Sequence, residues 1–275
     1  MLSKFLISFI SLCTLVVAGC GSSAPDLAVS DIAVNQLKYS QLSQFTLTGN
    51  FSDNEINVST KNCKGLALVA GGTTIIKSVT CTIGAVGNGA VSLEAKLADG
   101  TVLKSVSFDV PNPQVSMQTS LGSVVLELNP TAAPLSTDNF LQYVNSKFYY
   151  NTLIHRVVTT GIFVAQGGWL TPTPAVQPGQ KAAIVLEVNK GLSNLKGTIA
   201  MARSADLNSA TSQYFFNLAD NLALDISNGG YAVFGKVVSG AEVLDAMASV
   251  KTTTAFGLAD FPASNVIVLS ATQTK

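Results

Sequence analysis

The chain has 275 residues and a mass of 28.5 kDa, enough for about two ordinary domains, with hydrophobic residues at 47% and charged residues at only 12%. Low charge with high hydrophobicity excludes intrinsic disorder, and 16 Lys plus Arg balanced by 16 Asp plus Glu leave no basic footprint for nucleic acid. One His and four Cys exclude a His-rich metal site, and no cofactor is implied.

Lys4 opens a short charged start, and residues 5–19 form an apolar run of about 15, the length of a secretory leader and short of the roughly 20 residues that span a bilayer. The run ends in Val17-Ala18-Gly19-Cys20, which resembles the lipobox of bacterial lipoproteins. That resemblance implies a signal peptide over 1–19, cleavage before Cys20 and a diacylglyceryl thioether on its sulfur. An ordinary leader cut near Ala24 is the alternative. Residues 20–25 read as a lipidated tether. The residue after Cys20 is not Asp, which by resemblance to lipoprotein sorting favours the outer membrane, reached from the periplasm. Loss of Lys4 leaves 15 basic against 16 acidic residues. With Cys13 removed and Cys20 lipidated, Cys63 and Cys81 remain, in neighbouring strand-like runs and an oxidising compartment. A disulfide there, closing a loop of about 19 residues, contributes roughly 3 kcal/mol; two buried free thiols are the alternative.

From residue 26 to 110 the chain reads as short alternating strands, at 45–49, 55–59, 65–69, 74–79, 90–97 and 102–108, separated by Gly, Asn and Asp. This predicts a small immunoglobulin-like sandwich with one bridge. It holds no His, no Arg and no clustered carboxylates, so a spacer or protein-binding module is all that follows.

Pro111-Asn112-Pro113 breaks the pattern, and a second domain is expected over 114–275. Residues 115–128 read as two strands around Ser120-Leu121-Gly122. Ser136 precedes a helix at 137–144 with Phe140, Leu141 and Val144 on one face. Ser239-Gly240-Ala241-Glu242 fits a capping box ahead of Val243, Leu244, Met247 and Val250. Two helices amid antiparallel strands predict a closed barrel plugged at its ends.

Only Arg156 and Arg203 are arginines among the basic residues, and both fall in this second segment. Arg156 lies in Leu153-Ile154-His155-Arg156-Val157-Val158, where strand alternation puts Ile154, Arg156 and Val158 on one face. A guanidinium among branched apolar residues is costly unless something meets it, a partner carboxylate or an exposed edge.

The stretch from His155-Arg156 to Phe163-Val164-Ala165-Gln166-Gly167-Gly168 resembles the cyclophilin signature. Further blocks agree in order: Leu121-Gly122, Leu126-Glu127-Leu128, Ala133-Pro134 and Asn139-Phe140-Leu141; Gly197 to Arg203; Ser209 to Asn217; Tyr231 to Val237. The resemblance covers 115–275 and is nearest to bacterial periplasmic cyclophilins. It implies an all-β-dominated fold, an eight-stranded antiparallel barrel capped by two helices, and a peptidyl-prolyl cis/trans isomerase assisting the folding of exported proteins. Proline-containing peptides or proteins are then the partners, the membrane is met through the lipid anchor only, and no nucleic acid is involved.

By that resemblance Arg156 is the catalytic donor and Gln166 steadies it and contacts substrate. Phe163, Val164, Phe215 and Leu224 form the apolar wall around the proline ring, and Ala202 and Gln213 hold the peptide backbone. His155 and Tyr231 line the site, His155 having a buried structural role as its alternative. Arg203 reads as a rim charge and Trp169 as core or rim packing. Three departures stand out. Ala223 occupies a position where the family has Trp or Phe, which predicts weak cyclosporin binding. Val164 stands for the usual methionine. Two extra residues fall around Thr159-Thr160-Gly161-Ile162, either displacing Phe163 or absorbed as a bulge. The insertion and Ala223 are what support the alternative function, a catalytically weak proline-peptide binding or scaffold lipoprotein. An arginine outside the apolar hollow, or drawn off by an acidic neighbour, would defeat the isomerase reading.

Overall fold

The computed structural model describes residues 26–52, 54–69 and 76–275; the leader, Cys20 and the tether lie outside them. Seven strands form the first region: β1 (Ala28–Val34), β2 (Leu42–Asn50), β3 (Asn57–Lys61), β4 (Cys63–Leu68), β5 (Ile76–Ile83), β6 (Gly87–Lys96) and β7 (Val102–Val110). They make two antiparallel sheets, in the orders β1-β2-β5-β4 and β3-β6-β7. Alternation does the sorting: Phe45 and Leu47 of β2, Val79, Cys81 and Ile83 of β5, and Val91, Leu93 and Ala95 of β6 turn inward and are buried. Phe45 meets Phe108 of the facing sheet with ring centroids 5.5 Å apart. The sandwich expected from the sequence is therefore present, with β1 added. Cys63 and Cys81 are disulfide-bonded, with Cα atoms 5.5 Å apart, and join neighbouring strands of one sheet rather than the two sheets.

The second region comprises β8 (Gln114–Thr119), β9 (Gly122–Leu128), α1 (Pro134–Asn145), β10 (Thr152–Thr160), β11 (Ile162–Gly167), β12 (Thr198–Met201), β13 (Tyr214–Asn217), β14 (Val233–Ser239), α2 (Ala241–Ala248), β15 (Thr252–Ala255), β16 (Leu258–Pro262) and β17 (Val266–Gln273). Eight of these strands close a barrel in the order β10-β11-β13-β12-β14-β9-β8-β17, while β15 and β16 form a separate hairpin. Phe140, Leu141 and Val144 of α1 and Val243, Leu244 and Met247 of α2 are buried in the barrel's core cluster. That core is aromatic: Phe140 packs on Tyr149, Tyr214 and Phe234 at 5.2–5.6 Å.

Two helix starts differ from expectation. Helix α1 begins at Pro134, not after Ser136, and its first free amides, those of Leu135 and Ser136, donate to the Glu187 carboxylate at 2.9 and 2.6 Å. A carboxylate from 51 residues away thus caps the helix, and Ser136, expected just before it, lies inside it. Helix α2 starts from Gly240 in a left-handed conformation (φ 85°), with Ser239 still in β14, so no capping box forms. A Cβ at Gly240 would fall 2.1 Å from the Ser123 carbonyl oxygen, which reserves the position for glycine.

The two regions touch. Tyr39, in the β1–β2 connection, is buried in the barrel's core cluster. Gln273 of β17 donates to the Tyr39 carbonyl (3.0 Å) and accepts from Gln41 (2.9 Å) and Asn145 (3.1 Å).

Candidate active site

Arg156 reaches its place through an irregularity in β10. Ile154 pairs with Gly167 and Arg156 with Gln166, so His155 is an extra residue, a β-bulge. The bulge breaks the alternation expected from the sequence. Ile154 and Val157 face the barrel interior, whereas Arg156 and Val158 face outward with the apolar cluster of Val164, Ala200, Ala202, Phe215, Leu224 and Val233. Strict alternation would have placed Ile154 beside the arginine; one added residue sends it to the opposite side.

Arg156, Ile162, Val164, Gln166, Ala202, Arg203, Phe215, Leu224 and Tyr231 line a hollow of about 120 Å³ on the barrel wall. Of the residues singled out from the sequence, Arg156, Val164, Gln166, Ala202, Phe215, Leu224 and Tyr231 are brought together there. Phe163 is not among the lining residues: it is 38% exposed, and Ile162 takes the place in the wall. The β10–β11 hairpin turns at Gly161 (φ 79°), with Thr160 opposite Ile162. Alternation from Val164 then carries Ile162 inward and Phe163 outward. The Phe163 backbone is fixed from both sides, its amide donating to Asn221 Oδ1 (2.9 Å) and its carbonyl accepting from Asn221 Nδ2 (2.8 Å) and the Leu218 amide (2.8 Å).

Gln166 lies opposite Arg156 in register, but its side-chain amide donates to Gln213 Oε1 at 2.9 Å. Gln213 also accepts, through its backbone carbonyl, from the Ala202 amide (3.0 Å), so the two glutamines and Ala202 form one tied edge. The charge that meets Arg156 is Asp260, whose Oδ2 lies 3.7 Å from Nε, with both side chains 40% exposed. Arginine in the hollow and a carboxylate beside it therefore coexist. Asp260 carried no signal in the sequence: it sits in an isolated Ala-Asp-Phe-Pro stretch more than 100 residues from Arg156.

Arg203 stacks over the Tyr231 ring at 4.5 Å and donates to the carbonyls of Gly230 (Nη2, 2.8 Å) and Asn228 (2.6 Å), which occupies its fork at the rim. Tyr231 in turn meets the Phe215 ring edge-on at 5.8 Å. Ala223 is exposed and absent from the lining, so no side chain closes the hollow there. His155 is buried, with its ring 5.3 Å from that of Trp169 and its Nδ1 without a hydrogen-bond partner. Burial, reinforced by the Arg156 charge, pulls its pKa down to about 4, against the raising effect of the Leu153 backbone and Gln213. The imidazole is neutral near pH 7 and lies outside the lining. A larger depression of about 300 Å³ adjoins Tyr231, but its carboxylates are engaged, Glu187 on α1 and Asp225 on Asn194.

The arrangement holds one rigid cationic donor at the edge of an apolar socket on a closed barrel, with no nucleophile in the lining and its one imidazole outside it. That defines a barrel protein built to grip an apolar side chain beside a hydrogen-bond donor. The family model for cyclophilin type peptidyl-prolyl cis-trans isomerases matches residues 114–273. A peptidyl-prolyl cis-trans isomerase of Acinetobacter baylyi is 45% identical over 145 residues, 52% of this chain and 76% of the relative. Another from Streptomyces antibioticus is 44% identical over 162 residues, 57% of this chain and 96% of the relative. Among solved structures, a Cryptosporidium parvum cyclophilin type isomerase determined in the presence of the dipeptide Ala-Pro aligns with a TM-score of 0.51 and 25% identity, over 59% of this chain and 99% of that one. The chain belongs to the cyclophilin-type peptidyl-prolyl cis-trans isomerases, and its activity is that of the family.

Proposed function

We propose that Arg156 drives the isomerisation by donating to the prolyl nitrogen of a bound proline-containing segment. Conjugation of that nitrogen with its carbonyl sets a barrier of about 18–20 kcal/mol. As the bond twists, the lone pair localises on nitrogen and becomes an acceptor. A donor held beside it stabilises the twisted state more than either planar state, which is what lowers the barrier. Phe215, Leu224, Val164 and Ile162 hold the ring, and the Gln166–Gln213–Ala202 edge holds the backbone. No proton leaves the protein and no covalent intermediate forms. The observation that carries this reading is the presence of Arg156 in the lining of the apolar hollow. Exchange spectroscopy on an Xaa-Pro peptide tests it: the parent accelerates exchange and Arg156→Ala does so on the order of a hundredfold less.

A second reading, a proline-peptide binder with little turnover, draws on the open wall at Ala223 and on Asp260 beside the guanidinium. Peptide binding without faster exchange in the parent would establish it.

We further propose attachment through a lipidated Cys20, with the enzyme on the periplasmic face assisting exported proteins. The lipobox resemblance and the Cys63–Cys81 disulfide, a bond that persists in oxidising compartments, support this. In the native host the parent should sediment with membranes and Cys20→Ala should appear in the soluble fraction.

A further inference from the structure

We infer that Asp260 is a positioning residue for Arg156, an inference that rests on the donor role proposed for that arginine. The carboxylate reaches the site from the β15–β16 hairpin, which lies outside the barrel and packs against β10. Phe261, next in sequence, is 3% exposed and clusters with Leu153 of β10 and with Leu170. That buried ring locks the hairpin onto the strand that carries Arg156. Asp260 itself has a left-handed backbone (φ 57°), a conformation few residues adopt and one that Asp, Asn and Gly tolerate best.

The recorded approach is between Nε and Oδ2, 3.7 Å apart. A guanidinium is planar and rigid, so an electrostatic pull on Nε biases the plane in which the terminal N–H groups lie. Gln166, the group opposite Arg156 in register, is committed to Gln213. Asp260 is therefore the one carboxylate within 4 Å of the guanidinium among the described residues. A half-exposed pair at this distance adds little to stability. Its effect lies in geometry, because an error of about 1 Å at a donor can cost on the order of a hundredfold in rate.

The test compares parent, Asp260→Gly, Asp260→Asn, Arg156→Ala and the Arg156→Ala/Asp260→Gly double variant, with kcat and KM measured separately on one Xaa-Pro peptide. Gly and Asn both accept the left-handed backbone, so the fold is kept, and the melting temperature should match the parent's. Asp260→Gly should lower kcat about tenfold, within the range that sub-ångström misplacement allows, with KM little changed. Asp260→Asn, which keeps an acceptor oxygen, should fall between the two. In the Arg156→Ala background the glycine substitution should have no further effect. Parent-like or higher kcat in Asp260→Gly overturns the positioning role, as does an equal loss in the Arg156→Ala background. An inactive parent, or full activity in Arg156→Ala, instead overturns the donor reading on which it rests.

Discussion

The sandwich and the barrel are both antiparallel β structures, yet they are held and used differently. The sandwich buries an aliphatic core, with Phe45 and Phe51 its fully buried aromatic rings, and adds a covalent tie between adjacent strands. The barrel packs a network of phenylalanine and tyrosine rings around α1 and α2 and needs no such tie. Every residue lining the hollow belongs to the barrel. The barrel's irregularities lie at the site: the bulge at His155, the turn at Gly161 and the separate β15–β16 hairpin. The sandwich has register shifts of its own, at Val29/Asp31, Lys64/Ala67 and Gly87/Val91, but none of these residues lines the hollow.

Breaking the staple should separate the two regions most clearly. Replacing Cys63 and Cys81 by Ala should cost the sandwich about 3 kcal/mol, while kcat/KM on a short proline peptide stays at the parent value. Trp169, the single tryptophan, lies in the barrel, so its fluorescence follows barrel unfolding while far-UV circular dichroism follows both regions. A loss of activity on breaking the disulfide would mean that the sandwich shapes the site.

A smaller effect sharpens the contrast from the barrel side. His155 has a folded pKa of about 4, below its ordinary 6.5, so between those values the unfolded chain binds a proton that the folded chain refuses. Its contribution to stability is fully present above pH 6.5 and is lost as the pH falls toward 4. Lowering the pH from 7 to 5 should weaken the barrel by about 2 kcal/mol, read from the Trp169 transition, and His155→Gln should flatten that slope. Over the same range kcat should stay level for folded enzyme, because the imidazole lies outside the lining of the hollow.

Much of this was legible in the sequence. The ordered blocks from Leu121 to Val237 carry the barrel, alternation carries most of the sandwich strands, and spacing places Cys63 and Cys81 in adjacent strands. What escaped depends on contacts remote in sequence or on a change of register by one residue. Nothing local marks Glu187 as the cap of α1 or Asp260 as the neighbour of Arg156, since each acts on an element far away in the chain. Ile154 departs from expectation because alternation assumes an unbroken ladder, and Phe163 because a motif match carries identity but not which side chain of a hairpin faces in. Ser239 was misread as a cap because its motif is also compatible with a strand running directly into a glycine turn.

The central claim is that Arg156 acts on the rate of the bound peptide and not on its capture. Exchange between cis and trans forms of an Xaa-Pro peptide, followed by NMR at saturating enzyme for the parent and Arg156→Ala, separates the two quantities. The account predicts peptide affinity within a few-fold of the parent and an on-enzyme exchange rate lower by on the order of a hundredfold or more. Equal on-enzyme rates in the two proteins would contradict it.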